Sequence, residues 1–214
     1  DIYIAKYNIG VIYQILYSIN PYSPYSEDNI IQMKKYYTYS ISIPEAANNL
    51  GYHYKTRFNS NKALYYWKLA YDMGSASAAH NLGNYYYISK NYNLMKEYLL
   101  ESVERKSTGG ASLLGRYYYE INDIIQAKIY FNIAINLGDV YSYIRLAMCY
   151  LYEFDTNLAG QEIAKYIILY KNIRFNYSKF INLLNLDQYN SVSHVLVNFS
   201  IEDLNKFYYI LDDA

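Results

Sequence analysis

The chain has 214 residues, a formal net charge of zero, and only 18% charged side chains. A dedicated nucleic-acid-binding protein needs a basic face that displaces counterions from phosphates, so this charge balance argues against that class. The single cysteine, Cys149, excludes an intramolecular disulfide and fits a reducing compartment, which predicts an intracellular, cytoplasmic protein.

Residues 1–43 are predicted to form a degenerate first pair of helices joined by a proline-containing loop. Apolar residues at helical spacing predict the first helix over residues 2–17: Ile2, Ala5, Ile9, Ile12 and Leu16. An alternative for this stretch is a helix docked on a membrane surface, although it lacks the basic polar face of such helices. No uninterrupted apolar run reaches the length of a membrane span. The chain begins at Asp1 rather than Met, which leaves open a signal peptide ahead of it.

The loop after this helix contains Pro21 and Pro24, which remove backbone donors and end the helix. A second helix is expected over residues 28–39. Its predicted N-cap is Ser26 or Asp28.

A short motif, Leu followed by Gly or Ala and then by Tyr three residues later, recurs four times at intervals of 32 residues. The copies are Leu50-Gly51 with Tyr54, Leu82-Gly83 with Tyr86, Leu114-Gly115 with Tyr118, and Leu146-Ala147 with Tyr150. Small residues keep the same interval four residues before the Gly, at Ala47, Ala79 and Ala111. Each copy predicts two short antiparallel helices, which bury their apolar stripe only by stacking on neighbouring copies.

These residues resemble the tetratricopeptide repeat and its Sel-one-like relative. The L-G-x-x-Y motif and the short loop inside each copy are similar to tetratricopeptides, whereas the segment from Ala70 to Gly74 resembles the end of a Sel-one-like repeat. The resemblance covers roughly residues 44–170. It implies an all-α fold, a right-handed α-solenoid of antiparallel helix pairs, with repeat units over residues 44–172. It brings no catalytic residues, so we expect no enzyme.

Within the repeats the pattern predicts helices over residues 44–57, 60–73, 76–88, 92–105, 108–120 and 123–136. The candidate caps between paired helices are Asn61, Asn91 or Asn93, and Asn122 or Asp123. Gly74 and Gly138 fit left-handed positions after a helix. Because Lys106 occupies the equivalent position, Gly109-Gly110 are expected to turn the chain slightly later.

The fourth copy is expected to begin near Val140. Residues 161–165 resemble residues 124–128 but lie five positions late, which predicts an inserted loop over residues 153–160. Residues 173–214 are predicted to form C-terminal capping helices, the last opened by a capping box at Ser200.

No metal or cofactor site is expected from the sequence. None of His53, His80 and His194 has a Cys, His or carboxylate at a spacing typical of a metal site. Cys149 has no His placed near it by the pattern, and a small buried thiol is favoured over a nucleophile.

The resemblance implies a concave groove lined by residues three before, one after and four after each repeat Gly. In this sequence they are Asn48, Tyr52, Lys55, His80, Asn84, Tyr87, Ser112, Arg116 and Tyr119. Exposed Tyr and Arg often anchor interfaces, because they combine a large contact area with a polar group. The alternative is that an AT-biased genome supplied Tyr wherever a bulky residue was tolerated.

The sequence therefore favours a non-enzymatic scaffold or adaptor that binds a protein or peptide in the groove. A structural unit that self-associates or forms oligomers is the alternative. A third hypothesis is a single-stranded nucleic-acid binder that stacks bases on Tyr, although a basic groove normally accompanies that function. We expect neither a nucleic-acid nor a membrane partner.

Overall fold

The computed structural model describes residues 2–169, and this part of the chain is helical without any strand. It divides into two compact units, Asp1–Ser107 and Thr108–Ala214. The helices of the first unit are α1 (Ile2–Ile19), α2 (Ser26–Tyr39), α3 (Pro44–Thr56), α4 (Ser60–Asp72), α5 (Ala76–Ile88) and α6 (Tyr92–Glu104). Those described in the second unit are α7 (Thr108–Glu120), α8 (Ile124–Asn136), α9 (Ser142–Tyr152) and α10 (Thr156–Leu169).

Consecutive helices pair across short turns. In the first unit α1 pairs with α2, α3 with α4 and α5 with α6, and each later pair packs on the one before it. In the second unit α7 pairs with α8 and α9 with α10, and α9 packs on α8. The six helices predicted between residues 44 and 136 are confirmed, each to within one residue at either end.

The turn inside each of four helix pairs contains one residue in the left-handed backbone region. These residues are Phe58, Lys90, Asn122 and Phe154, with φ of 57°, 59°, 60° and 61°. In each turn the next residue donates its N–H to the carbonyl of the motif tyrosine at 2.9 Å, which closes the turn. The same connection therefore recurs in four turns with three different residue types at the left-handed position, because the backbone hydrogen bond determines its geometry.

The turns between pairs also use the left-handed region. Gly74 and Gly138 have φ of 92° and 99°, as predicted. Lys106 takes the equivalent position with φ of 63°, and α7 then begins at Thr108 and contains Gly109. The prediction that Gly109-Gly110 turn the chain is therefore wrong. The Lys106 side chain is exposed, so the modest strain of a left-handed non-glycine residue is tolerated there.

The second helices α4, α6 and α8 are each N-capped by an Asn or Asp residue that directly follows the left-handed residue of the turn. Asn91 and Asp123 accept hydrogen bonds from backbone N–H groups three residues later, which confirms two predicted caps. Asn59, rather than Asn61, caps α4. The left-handed Phe58 places the cap at the next position, and Asn61 lies inside the helix.

The second helix of the fourth copy is not displaced. Helix α10 begins directly after Asp155, whose Oδ1 accepts the N–H of the residue three later at 3.0 Å. Residues 153–155 therefore form a turn, and residues 156–160 belong to α10. The prediction of an inserted loop over residues 153–160 is wrong. Ala159 is fully buried twelve residues after Ala147, the same spacing that separates the buried Ala63 and Ala127 from Gly51 and Gly115, so α10 keeps the register of the earlier second helices.

Helix α1 buries a different face from the one predicted. Gly10 is its only residue classed as buried within the described part of the chain, and the ring of Tyr37 from α2 lies against it. A Cβ at Gly10 would lie 2.7 Å from Tyr37 Cδ1. The predicted stripe is instead mostly exposed, including Ile2, Ile12 and Leu16. A glycine allows close approach of an aromatic ring, so it determines the buried face.

Helix α2 starts without a side-chain cap. Its N-cap residue is Tyr25, and both predicted candidates, Ser26 and Asp28, lie inside its first turn. The Ser23 hydroxyl instead accepts the N–H of Tyr25 at 3.1 Å, so the polar side chain orders the loop rather than the helix end.

Helix pairs approach most closely where the motif glycine of the first helix meets a large side chain sixteen residues later. A Cβ on the glycine would lie 2.5 Å from Trp67 Nε1 at Gly51, from Leu99 Cγ at Gly83, and from Phe131 Cδ1 at Gly115. These three large residues are at most 2% exposed. The missing side chain therefore creates the space into which the core residue packs.

The motif tyrosine stacks on a tyrosine of the second helix in the same pair. The pairs are Tyr54 with Tyr66, Tyr86 with Tyr98, and Tyr118 with Tyr130, with interplanar angles of 3°, 7° and 1°. In these three copies the residue three after the glycine therefore packs within its own pair.

The predicted C-terminal capping helices lie outside the described residues. Among helices α1–α10, none is both long and apolar enough to cross a membrane.

Candidate functional site

Six of the nine predicted groove residues lie in the first unit. Helix α3 carries Asn48, Tyr52 and Lys55, and helix α5 carries His80, Asn84 and Tyr87. Tyr52 and Lys55 are exposed, and the other four are partly buried. These two side chains are therefore the most accessible members of the predicted set in this unit.

A cavity of ≈ 550 Å³ lies between α1 and α3, and we call it the α1–α3 pocket. Its lining residues are Gln14, Tyr17, Ser18, Met33, Asn49, Tyr52, His53, Thr56 and Arg57. The lining combines two amides, two tyrosines and a methionine, so it offers hydrogen-bonding groups beside apolar surface.

Polar contacts join the three helices around this pocket. The Tyr37 hydroxyl of α2 donates to Gln14 Oε1 of α1, and it accepts the amide N–H of Asn49 from α3 at 3.2 Å. Burial raises the pKa of Tyr37 to about 12, so the hydroxyl stays protonated at neutral pH. Two pocket-lining amides are therefore held in position by a buried hydroxyl.

The charges near the pocket are positive. Burial, followed by the charges of Arg57 and Lys34, lowers the pKa of His53 to about 4, and the imidazole is therefore neutral at pH 7. Among the described residues 2–169, no acidic side chain lines the pocket. Within residues 2–169, Arg57 forms no salt bridge with a carboxylate. An occupant of the pocket would meet neutral polar groups and an exposed guanidinium.

A second cavity of ≈ 350 Å³ lies between the N-terminal ends of α3 and α5, and we call it the α3–α5 pocket. Its lining residues are Tyr7, Pro44, Glu45, Asn48, Asn49, Met73, Gly74, Ser75, Ala76 and Ser77. The Asn81 amide of α5 donates to Asn48 Oδ1 at 2.8 Å, which links the two helices. The side-chain oxygen of Asn48 thus accepts a hydrogen bond within the protein, and Asn48 also lines this cavity.

The three groove residues predicted in the second unit all have partners there. The Arg145 guanidinium donates to Ser112 Oγ at 3.2 Å, and Arg116 Nε lies 3.6 Å from a Glu120 carboxylate oxygen. The Tyr119 ring meets the Tyr152 ring edge to face at 6.3 Å. These residues contribute to packing within their own unit, unlike the exposed Tyr52.

The chain resembles solved structures of helical-repeat proteins over most of its length. The crystal structure of c5321, a protective antigen of uropathogenic Escherichia coli with a Sel1-like repeat (SLR) fold, matches with a TM-score of 0.66 and 16% identity, over 99% of this chain and 45% of that one. A Sel1 repeat protein from Oxalobacter formigenes matches with a TM-score of 0.61 and 12% identity, over 99% and 84%. YrrB, a tetratricopeptide repeat (TPR) protein with an unusual peptide-binding site, matches at 0.51 and 16%, over 82% and 89%. This chain has the TPR and Sel1-like helical-repeat fold.

The solved structures support the resemblance that the repeat motif indicated. No protein-family model matches the sequence, and no curated protein matches it either. At 12–16% identity, this likeness shows a shared fold and nothing about shared side chains.

Sequence reasoning missed several residues of the α1–α3 pocket. Gln14 lies four residues after Gly10, the register of the predicted groove residues, so applying the repeat rule to α1 would have identified it. His53 and Arg57 lie outside the three groove registers. They line the pocket because it forms at the junction of two helices, which a rule about one helix face does not capture.

Cys149 lies in the hydrophobic core of the second unit, packed with Ile124, Phe131 and Leu146. The thiol is fully buried, and burial raises the pKa of Cys149 to about 12. The prediction of a small buried thiol is confirmed. Among residues 2–169, no three His, Cys, Asp or Glu side chains form a group that could hold a metal ion.

Proposed function

We propose that the chain is a non-enzymatic scaffold that binds a protein or peptide segment along the groove face of α3 in the first unit. Proteins with the TPR and Sel1-like fold generally act as protein-interaction scaffolds. YrrB, one of the structures it resembles, has a peptide-binding site. The step from this fold to a peptide ligand of this chain is our proposal.

The observation that carries the proposal is that the α1–α3 pocket and the α3–α5 pocket border the same helix. The α1–α3 pocket lies along the later part of α3 and the α3–α5 pocket lies along its start. Asn49 lines both cavities, so they adjoin at α3. An extended segment crossing α3 could place side chains in both.

The lining chemistry suits a polypeptide. Asn48, Asn49 and Gln14 supply amide donors and acceptors, which match the N–H and C=O groups of an extended backbone. The exposed Tyr52 supplies a flat apolar surface with a hydroxyl, the type of side chain that often dominates interface energetics. Because Gln14 and Asn49 are already held by Tyr37, little ordering entropy is lost by the protein on binding.

The experiment is a peptide-display selection on the full chain, compared with a Tyr52→Ala variant. Tyr52 is about half exposed and its truncation should leave the fold intact, so a loss of binding reports on the groove. The matched control is Tyr22→Ala, because Tyr22 is 96% exposed and lies outside both pockets. We expect a shared motif on the parent and the control, with binding weakened by about 1–3 kcal/mol on Tyr52→Ala.

Two results would overturn the proposal. One is a selected peptide that binds Tyr52→Ala as tightly as the parent, which would place recognition elsewhere. The other is an absence of enrichment on a folded parent, combined with salt-dependent binding of a single-stranded oligonucleotide, which would support nucleic-acid recognition.

A further inference from the structure

The α1–α3 pocket opens beside two positive charges that come from different helices. Arg57, the C-cap residue of α3, is exposed and lines the pocket. Lys34 of α2 directly follows Met33, which also lines the pocket. Burial is the first cause that lowers the pKa of His53, and the charges of Arg57 and Lys34 are the next, so both cations act on this imidazole. An occupant of the pocket therefore meets the field of two cations.

Within residues 2–169, no carboxylate forms a salt bridge with either cation. Glu45 lines the neighbouring α3–α5 pocket, and it lies at the opposite end of α3 from Arg57. A basic residue at a helix C-terminus is stabilised by the helix dipole, which is sufficient to account for Arg57. The dipole does not account for Lys34, which lies inside α2 before its last turn. The positive charge beside the pocket is therefore available to a ligand.

Two polar side chains of the pocket present hydrogen-bond donors. The Tyr37 hydroxyl donates to Gln14 Oε1, which directs the Nε2 amide group of Gln14 away from Tyr37. An amide nitrogen and a guanidinium donate hydrogen bonds but do not accept them. Since Gln14 and Arg57 line the same cavity, an oxygen acceptor suits it. A carboxylate fits best, because it can accept two parallel N–H bonds from a planar guanidinium.

An exposed aromatic ring lies next to this charge in the chain. Phe58 directly follows Arg57, is 96% exposed and has φ of 57°. A bulky residue in the left-handed region is strained, and an exposed ring gains nothing from burial. Lys90 and Asn122 hold the equivalent turn positions in the next two pairs, so the turn does not require an aromatic residue. Phe58 therefore offers apolar contact area to a chain that continues past the pocket.

We infer that the pocket binds an acidic segment of a partner protein, which places an Asp or Glu side chain against Arg57 and a neighbouring apolar side chain against Tyr17 and Met33. This inference rests on the proposed peptide-binding function and specifies the chemistry of the peptide. Tyr17 and Met33 line the pocket and supply its apolar contact. The field of Arg57 and Lys34 attracts the carboxylate. Because Phe58 extends the contact surface beyond Arg57, the carboxylate belongs to a side chain within the segment rather than to a chain end.

The first test measures the affinity of a synthetic copy of the peptide selected on the full chain. We expect the selected motif to contain Asp or Glu at one fixed position. Replacing that residue by its amide should weaken binding to the parent by about three- to fivefold, the effect of an exposed ion pair. The same replacement should have no effect on Arg57→Gln, because the partner of the carboxylate is then missing.

The matched control is Lys68→Gln. Lys68 is exposed on α4 and lies outside both pockets, so this variant loses the same charge from the same unit. It should bind the peptide as the parent does. Raising the salt concentration from about 50 to 500 mM should weaken the parent and Lys68→Gln complexes more than the Arg57→Gln complex.

The second test compares Phe58→Ala with Phe154→Ala. Phe154 is 86% exposed and has φ of 61° in the equivalent turn of the second unit, so both variants remove an exposed ring from the same backbone conformation. We expect only Phe58→Ala to weaken binding, by about threefold or more. Equal affinities of the two variants would contradict the role of Phe58.

The source of the carboxylate is tested by amidating the C-terminus of the selected peptide. Unchanged affinity is expected, whereas a loss as large as that caused by Arg57→Gln would assign the site to a terminal carboxylate and overturn the inference. A motif that depends on Tyr52 but contains no acidic residue, or that binds Arg57→Gln as tightly as the parent, would refute the acidic segment and leave the proposed function standing. Absence of any enriched peptide on the folded parent would contradict both.

Discussion

At the scale of single residues, neutral polar groups rather than ions organise the α1–α3 pocket. The Tyr37 hydroxyl contacts amides from both neighbouring helices, and burial keeps it protonated. His53 is held neutral by burial beside Arg57 and Lys34. A charge at any of these positions would be poorly solvated. The stability of the protein should therefore depend on pH through protonation of His53.

The first prediction concerns the stability of the protein at mildly acidic pH. The pKa of His53 is lowered from 6.5 to about 4 in the folded chain, so between these values the unfolded chain takes up a proton that the folded chain does not. The free energy of unfolding should therefore fall as the pH drops from 6.5 towards 4. Above pH 6.5 the contribution of His53 to the free energy of unfolding should be constant. Solvent reaches much of the ring, so we expect an effect of about 1 kcal/mol.

Urea unfolding of the parent and of His53→Gln, at neutral pH and near pH 4.5, measures this effect. The variant lacks the titrating ring but retains His80 and His194. Only the difference between the two proteins in how the free energy of unfolding changes with pH is therefore attributed to position 53. Parallel pH profiles for the two proteins would show that His53 titrates normally in the folded chain.

At the scale of helices, the glycine in the first three copies of the motif lets the two helices of a pair pack closely. Gly83 lies against Leu99, and the equivalent glycines lie against Trp67 and Phe131. The three different partners show that the space left by the glycine accepts a large residue of the second helix without specifying which one. The stacked tyrosines beside each crossing add aromatic contact between the same two helices.

The second prediction is that Gly83→Ala destabilises the protein by about 1–3 kcal/mol through overpacking. The added Cβ would lie 2.5 Å from Leu99 Cγ, too close for the side chain to remain in place. In a Leu99→Ala background the added methyl has space, so the same substitution should cost much less. Additive effects in a thermal or urea unfolding cycle would show that Leu99 is not the source of the strain.

The helices of the repeats were predictable because their spacing is determined by backbone geometry and by small residues at the crossings. The turn at Lys106 was not, since an exposed lysine can adopt a left-handed conformation that sequence rules assign to glycine. The start of α10 was not predictable from the likeness of residues 161–165 to an earlier copy, because the buried position in this helix is Ala159. Hydrophobic spacing also gave the wrong face of α1, where Gly10 decided the packing.

At the scale of the whole molecule, the predicted groove divides between two units. The first unit holds Tyr52 and Lys55 in exposed positions, and Tyr52 lines the α1–α3 pocket. In the second, Ser112, Arg116 and Tyr119 contact neighbouring side chains. The sequence identified the register of these residues, but not which of them remain accessible, because accessibility depends on partners that lie about 30 positions away in the chain.

The central claim is that α3 of the first unit presents the recognition surface. Its most direct test is amide hydrogen exchange of the full chain, with and without a peptide selected on it, because exchange locates the bound region without any substitution. We predict slower exchange in the last turns of α1 and along α3, with α4 and α6 unchanged. Protection confined to α4 and α6, or to the second unit, would contradict the account.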